Sequence, residues 1–277
     1  MNRILSITLT LVLLLGLCCS VSIAAEEEAS VFVTIADKDG KLVLVQEEIE
    51  VKDIDSDGKL TINDALYCTH EAKFDGGAAA GYLSEMTEYG LSLKKLWGTD
   101  NGSGYGYYVN NAAAMSLSDQ VFDGSSIVAF IYTDTTTWSD TFCYFDKDTV
   151  LMKASTDITL TLTSVGFDAS YNTVLSPVAN ANITLNGKAV DTKTDGDGKI
   201  TLSFTDAGTY VVSASSDSMT LVPPACVITI DGTPEVITPP ISDDAPKTGD
   251  TAALAILALV AVGALVLIVV VKRNREA

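Results

Sequence analysis

The chain has 277 residues, a formal net charge of −19 and a pI near 4.2. So acidic a body is repelled by phosphate backbones and anionic headgroups, which argues against a nucleic-acid partner. It suits divalent cations and cationic partners, or simply keeps a secreted protein soluble.

Residues 1–24 read as a signal peptide. Arg3 supplies the positive start, residues 4–17 are an almost unbroken apolar run, and Ser22-Ile23-Ala24 places small residues at the cleavage site. A lipoprotein signal is the weaker alternative, since Leu17 stands before Cys18 where a small residue is needed. Cys18 and Cys19 leave with the peptide, so three of the five cysteines remain: Cys68, Cys143 and Cys226. An odd number allows one bridge, for which Cys68–Cys143 is the candidate; three free thiols are the alternative.

In residues 29–156, Val31, Val33 and Ile35 alternate as in a strand, and a second strand follows a turn at 37–40. Residues 62–73 are helical in composition, 76–81 read as a flexible link, and 82–96 read as a second helix. From Trp97 the character changes to glycine, aromatic and β-branched residues, with strands expected near 105–109, 127–132 and 142–145. The expectation is an α+β domain. Its rings Trp97, Tyr105, Tyr107, Tyr108 and Trp138 combine apolar area with polar tips, which suits either a ligand surface or core and hairpin packing.

The sharpest motif runs Asp53-Ile54-Asp55-Ser56-Asp57-Gly58-Lys59-Leu60-Thr61-Ile62-Asn63-Asp64 and fits D-x-[DN]-x-[DN]-G with a carboxylate at its twelfth position. Asp53, Asp55 and Asp57 aim hard oxygens at one centre, and Gly58 permits the reversal. Lys59 offers its carbonyl, Thr61 acts directly or through water, and Asp64 closes the sphere. The implied cofactor is structural Ca2+, bound in extracellular modules at about 0.1–1 mM. Aspartate rather than glutamate in the last place, within Asp57-Gly58-Lys59-Leu60-Thr61-Ile62-Asn63-Asp64-Ala65-Leu66, resembles the dockerin and EF-hand-like extracellular variety. Dockerins carry two such segments and one is found here, so docking to a cohesin is not implied.

After the loop come Asp64-Ala65-Leu66, Gly90-Leu91-Ser92-Leu93, Trp97-Gly98 and Gly106-Tyr107-Tyr108-Val109-Asn110-Asn111. Then follow Ser118-Asp119-Gln120-Val121-Phe122-Asp123-Gly124-Ser125 and the strand near 127–132. This series resembles the transcobalamin C-terminal-like domain of bacterial surface proteins, over about half of the mature body. The resemblance implies a face that meets a small ligand of the corrinoid type. The chain departs from the family in lacking its helical barrel and in having Ser125 after Gly124.

Catalysis is not expected. One histidine, His70, excludes a multi-histidine metal centre and would have to serve any Ser/His/Asp or Cys/His unit. It reads as an exposed residue on the helix after the loop. Nothing marks a carboxylate pair for glycoside hydrolysis, and 102–106 lacks the lysine of a phosphate loop.

Residues 157–230 show short strands at regular intervals, separated by Asn186-Gly187, Asp195-Gly196-Asp197-Gly198 and Asp206-Ala207-Gly208. An all-β sandwich is expected. Thr194 to Thr201 resembles a hairpin of the Ig-like or prealbumin-like stalk domains of bacterial surface proteins. Residues 231–245, with Pro234, Pro239 and Pro240, form an extended spacer. Residues 252–271 are twenty consecutive apolar or glycine residues, long enough for a transmembrane helix, and Lys272-Arg273-Asn274-Arg275 would hold the C-terminus inside. With Pro246-Lys247-Thr248-Gly249-Asp250 in front, residues 246–277 resemble the sorting signal of Gram-positive sortase-anchored proteins, although Ala245 replaces the family's leucine. The resemblance implies cleavage between Thr248 and Gly249 and transfer to peptidoglycan; a plain single-span anchor is the alternative. The whole reads as a cell-surface, calcium-stabilised binding or adhesion protein for an extracellular glycan, protein or small molecule. The alternative is a small-ligand capture protein.

Overall fold

The structure is a computed structural model and describes residues 28–102 and 104–232, which belong to one compact unit. The signal peptide, spacer, sorting signal and membrane segment expected from the sequence lie outside the described residues, as do Thr248 and Gly249. Two lobes, each with its own apolar core, are packed together through a third cluster.

The first lobe opens with β1 (Glu28–Ala36) and β2 (Leu42–Lys52), whose turn is closed by the Asp37 carboxylate accepting the Asp39 and Lys41 N–H groups. Ala29, Val31, Val33 and Ile35 are buried on one face of β1 while Phe32 is exposed on the other, the period-two pattern of a half-buried strand. From Thr34 on both faces are buried, because Ala36 joins the cluster shared with the second lobe. α1 (Ile62–Lys73) packs on β2 and β1 and is followed by the five-residue α2 (Gly77–Gly81). Next come β3 (Leu83–Thr87), β4 (Gly90–Leu96), β5 (Thr99–Asp100), β6 (Tyr105–Val109), β7 (Ala112–Ala113) and β8 (Ser126–Ile131). The main sheet runs β2-β1-β8-β6-β7, with β1 and β8 parallel; β3-β4-β5 form a small second sheet.

The expected fold class is corrected here. The first lobe is no α+β domain: among the described residues only α1, twelve residues, and α2, five, are helical. The expected helix at 82–96 is the hairpin β3–β4, with Thr87 paired to Gly90. Leu93 and Leu96 are buried there, but their neighbours pair across strands rather than along a helix. Among the described residues no helix is long and apolar enough to cross a membrane.

The second lobe begins before the expected boundary at 156. It comprises β9 (Cys143–Phe145), β10 (Thr149–Lys153), β11 (Asp157–Phe167), β12 (Thr173–Pro177), β13 (Asn182–Leu185), β14 (Lys188–Lys193), β15 (Lys199–Ser203), β16 (Gly208–Ser215) and β17 (Cys226–Asp231). One sheet is β10-β17-β16-β13-β14; the other is β12-β11-β15, with β9 also paired to β11. Leu160, Leu162, Ile183, Val212, Cys226 and Ile228 are fully buried between them. β9 and β10 fall in this lobe because their pairing partners, β11 and β17, lie there.

The junction is aromatic. Phe130 and Phe142 are buried beside Ala36, Val165 and Val222, and Tyr108 stacks on Phe142 with ring centroids 3.6 Å apart and planes 9° from parallel. Gln46 of β2 donates its amide to the Ala225 carbonyl of the other lobe at 3.1 Å.

Candidate functional site

The loop after β2 folds around its own carboxylates. Asp53 accepts the Gly58 N–H at 2.8 Å and the Asp57 N–H at 3.2 Å, and Asp57 accepts the Lys59 N–H at 2.9 Å. Gly58 sits at φ +80°, open to the left-handed conformation that the reversal requires. One oxygen from each of Asp53, Asp55 and Asp57 lies within 4.8 Å of the others. Calcium–oxygen bonds of 2.3–2.6 Å place ligands on opposite sides of the ion about 5 Å apart, so the three oxygens fit around one ion. The backbone N–H of Gly58, above all, holds the Asp53 carboxyl below its usual range. Desolvation, then repulsion from Asp57 and Asp64, pushes Asp55 above it. A divalent ion would relieve that crowding.

The other three expected ligands stand differently. Asp64 is fully buried and accepts the Thr61 N–H at 2.8 Å, the Thr61 hydroxyl at 2.6 Å and the Ile54 N–H at 3.2 Å. With Thr61 as N-cap, this is a capping box that starts α1 and ties the two ends of the loop together. Lys59 is exposed. Leu60 is buried, and its carbonyl accepts the Val121 N–H, which docks the loop onto the lobe.

His70 is fully buried on α1, not exposed as its sequence context suggested. Nδ1 lies 2.6 Å from the Leu66 carbonyl and Nε2 lies 3.0 Å from the Trp97 backbone nitrogen. Nε2 therefore accepts from Trp97 N–H and Nδ1 carries the proton donated to Leu66, so the ring is neutral with both nitrogens occupied. Burial pushes its pKa below the usual histidine value. Because the folded pKa is depressed, this stabilisation is complete above the unfolded value of about 6.5 and is lost as pH falls below it. Denaturant titrations at pH 7.5 and 5.5 should show up to about 1.4 kcal/mol lost from this group. A His70→Asn variant should lack that part of the slope; an unchanged slope would contradict the assignment.

The cysteine pairing is also corrected. Among the described residues all three cysteines are free: Cys68 is half-buried against the first lobe's core, while Cys143 and Cys226 are buried in the second. The Cys143 thiol donates to the Val222 carbonyl at 3.4 Å.

The aromatic candidates divide. Trp97 packs into the first lobe with His70, Phe74 and Tyr82, its ring 5.3 Å from that of His70. The other four line two neighbouring grooves that share Tyr105 and Tyr107. The first, about 590 Å³, adds Tyr89, Lys94, Glu88 and Trp138; the second, about 470 Å³, adds Tyr108, Met115, Tyr132, Phe167 and Tyr171. The Tyr105 hydroxyl accepts the Asn101 N–H at 2.6 Å and lies 2.7 Å from the Lys94 carbonyl it donates to, so it fixes the floor. Trp138 donates to the Thr135 carbonyl at 3.1 Å and stands 5.4 Å from Tyr132. Burial raises the pKa of Tyr107 and Tyr132, and pushes Tyr108 up to about 12, so these hydroxyls stay protonated at neutral pH.

Sequence reasoning missed Tyr89, Met115, Tyr132, Phe167 and Tyr171. Tyr89 lay in the supposed helix at 82–96, and Phe167 and Tyr171 beyond the supposed domain boundary. A hairpin reading of Gly90 was the one local signal for Tyr89.

No family model matches the chain, and no curated protein does. Among solved structures, the N-terminal four Ig domains of Dscam1 isoform 4.44 are similar at 8% identity and a TM-score of 0.23, over 55% of this chain and 41% of that one. The D0–D1 domain of Intimin is similar at 16% identity and a TM-score of 0.25, over 73% of this chain and 96% of that one. The chain thus spans about two fifths of the Dscam1 fragment. Likenesses this distant carry no argument about function.

Proposed function

We propose that the chain is a surface-displayed, calcium-stabilised binding or adhesion protein without catalytic chemistry. The observation that carries this reading is the pair of aromatic grooves sharing Tyr105 and Tyr107, one of which recruits rings from both lobes. Exposed large rings and methionine clustered on one face suit recognition better than solvation. The buried, doubly bonded His70 has no free nitrogen to act as a base, which supports a non-catalytic role. Display rests on the signal peptide and on the Pro246–Asp250 sorting motif before an apolar stretch, which together support sortase transfer of Thr248 to peptidoglycan. A pilus-type internal isopeptide finds no support among the described residues, where no lysine is buried. The Asp53-Asp55-Asp57 loop acts as a calcium staple at the base of α1, away from the grooves in sequence and lining.

The mature chain, probed against arrays of glycans, matrix proteins and corrinoids, should bind at least one class. Trp138→Ala combined with Tyr107→Ala should weaken that binding by about tenfold or more, the usual effect of removing buried aromatic anchors. Capture of corrinoids alone would move the reading to small-ligand capture. No binding in any class, or binding indifferent to both substitutions, would remove the grooves as the recognition surface.

A further inference from the structure

We infer that the second groove is a cation-accepting site that takes lysine side chains of an extended, basic segment of a partner protein; this rests on the reading of that face as a binding surface. Every residue lining the groove is uncharged, and seven are large: the shared Tyr105 and Tyr107, with Tyr108, Met115, Tyr132, Phe167 and Tyr171. Met115 and Tyr171 are 86% and 87% exposed, so their apolar surface is available to a partner. Ring faces attract ammonium groups through their quadrupole, and a thioether adapts to flexible chains.

Three carboxylates stand at the margins of this groove. Asp119 accepts the backbone N–H of Met115 at 2.8 Å, and Asp140 accepts that of Thr133, next to Tyr132, at 2.8 Å. Asp168 closes the turn that carries Tyr171, accepting the Asn172 N–H at 2.9 Å. None of the three is in an ion pair among the described residues. Lys94 lines only the neighbouring groove, beside Glu88, and residues 28–232 contain no arginine. Aromatic walls with unpaired carboxylates around them are complementary to ammonium groups. An anionic ligand would find no counter-charge here, and a neutral sugar would gain from the rings but nothing from the negative charge at the margins. Tyr105 and Tyr107 line both grooves, so a segment longer than one side chain that fills the second reaches the edge of the first.

The test uses the mature chain with three probes: a lysine–alanine–glycine repeat peptide, the same peptide with every lysine acetylated, and cellohexaose. Calorimetry should show the lysine peptide binding about tenfold or more tightly than its acetylated form, with affinity falling as salt rises. Diffuse attraction to an acidic protein would do the same, so the groove is tested by Phe167→Ser with Tyr171→Asn. Both positions are exposed, and asparagine suits Tyr171's φ of +62°. This variant should keep the wild-type Tm and lose about tenfold in affinity for the lysine peptide. Equal binding of the acetylated peptide, or no effect of the variant, overturns the inference. Binding of cellohexaose alone overturns it too while leaving the face a recognition surface. Silence from every probe and every array ligand fails both readings.

Discussion

Moving the chelated protein into about 10 mM calcium should raise its stability by about 1.4–2.7 kcal/mol, given extracellular-type affinities of about 0.1–1 mM. For a unit of this size that is about 3–10 °C in Tm. Two substitutions separate ligand from scaffold. Asp55→Ala should abolish the calcium response without weakening the metal-free protein, because Asp55 is held there against desolvation and the repulsion of Asp57 and Asp64. Asp64→Asn should weaken the protein even without calcium, by about 1–2 kcal/mol, because it disturbs the capping box and the clasp to Ile54. Thermal melts with and without chelator check both. An unchanged melting temperature on adding calcium would mean that the three aspartates are only a turn.

Gly198→Ala should cost about 3–5 kcal/mol, combining a forced left-handed residue with overpacking. Gly198 sits at φ +74°, and a Cβ there would stand 2.5 Å from the Leu162 carbonyl oxygen and 3.2 Å from the Val178 nitrogen. Those atoms belong to the point where β11 passes from pairing with β15 to pairing with β12. Leu162 donates to the Gly198 carbonyl at 2.8 Å, and Val178 donates to the Leu162 carbonyl at 3.0 Å. A methyl group therefore pushes on backbone that cannot rotate away. Gly196, two residues earlier in the same turn, has nothing within 4 Å of its Cβ position, so Gly196→Ala should stay within about 0.5 kcal/mol of wild type. Urea titrations of the pair make the comparison, and equal costs would refute this packing.

Both of those sites were legible in the sequence because their geometry is local. The Asp53–Asp64 order and the turn at 195–198 are written in consecutive residues, where one glycine and the reach of an aspartate carboxylate decide the conformation. The stretch 82–96 misled because Leu91, Leu93, Lys94, Lys95 and Leu96 are good helix formers, whereas the pairing of Leu83 with Lys95 and Met86 with Leu91 is a contact between separated residues. The aromatic surface was half legible. Tyr105, Tyr107 and Tyr108 lie on one strand and Trp138 on a nearby loop, but grouping by residue type also drew in Trp97, which turns inward to His70.

The sequence by itself determined the acidic charge, the single histidine, the carboxylate order of the Asp53–Asp64 loop and the turns between strands. These depend on composition, or on residues within reach along the backbone. Only the tertiary structure decided that His70 is buried with both nitrogens bonded, and that Cys68 and Cys143 stay apart in different cores. It also decided that Phe167 and Tyr171 of the second lobe complete a groove begun by the first. Those outcomes rest on contacts between distant segments, such as Trp97 with His70 and Tyr108 with Phe142, that no local pattern encodes.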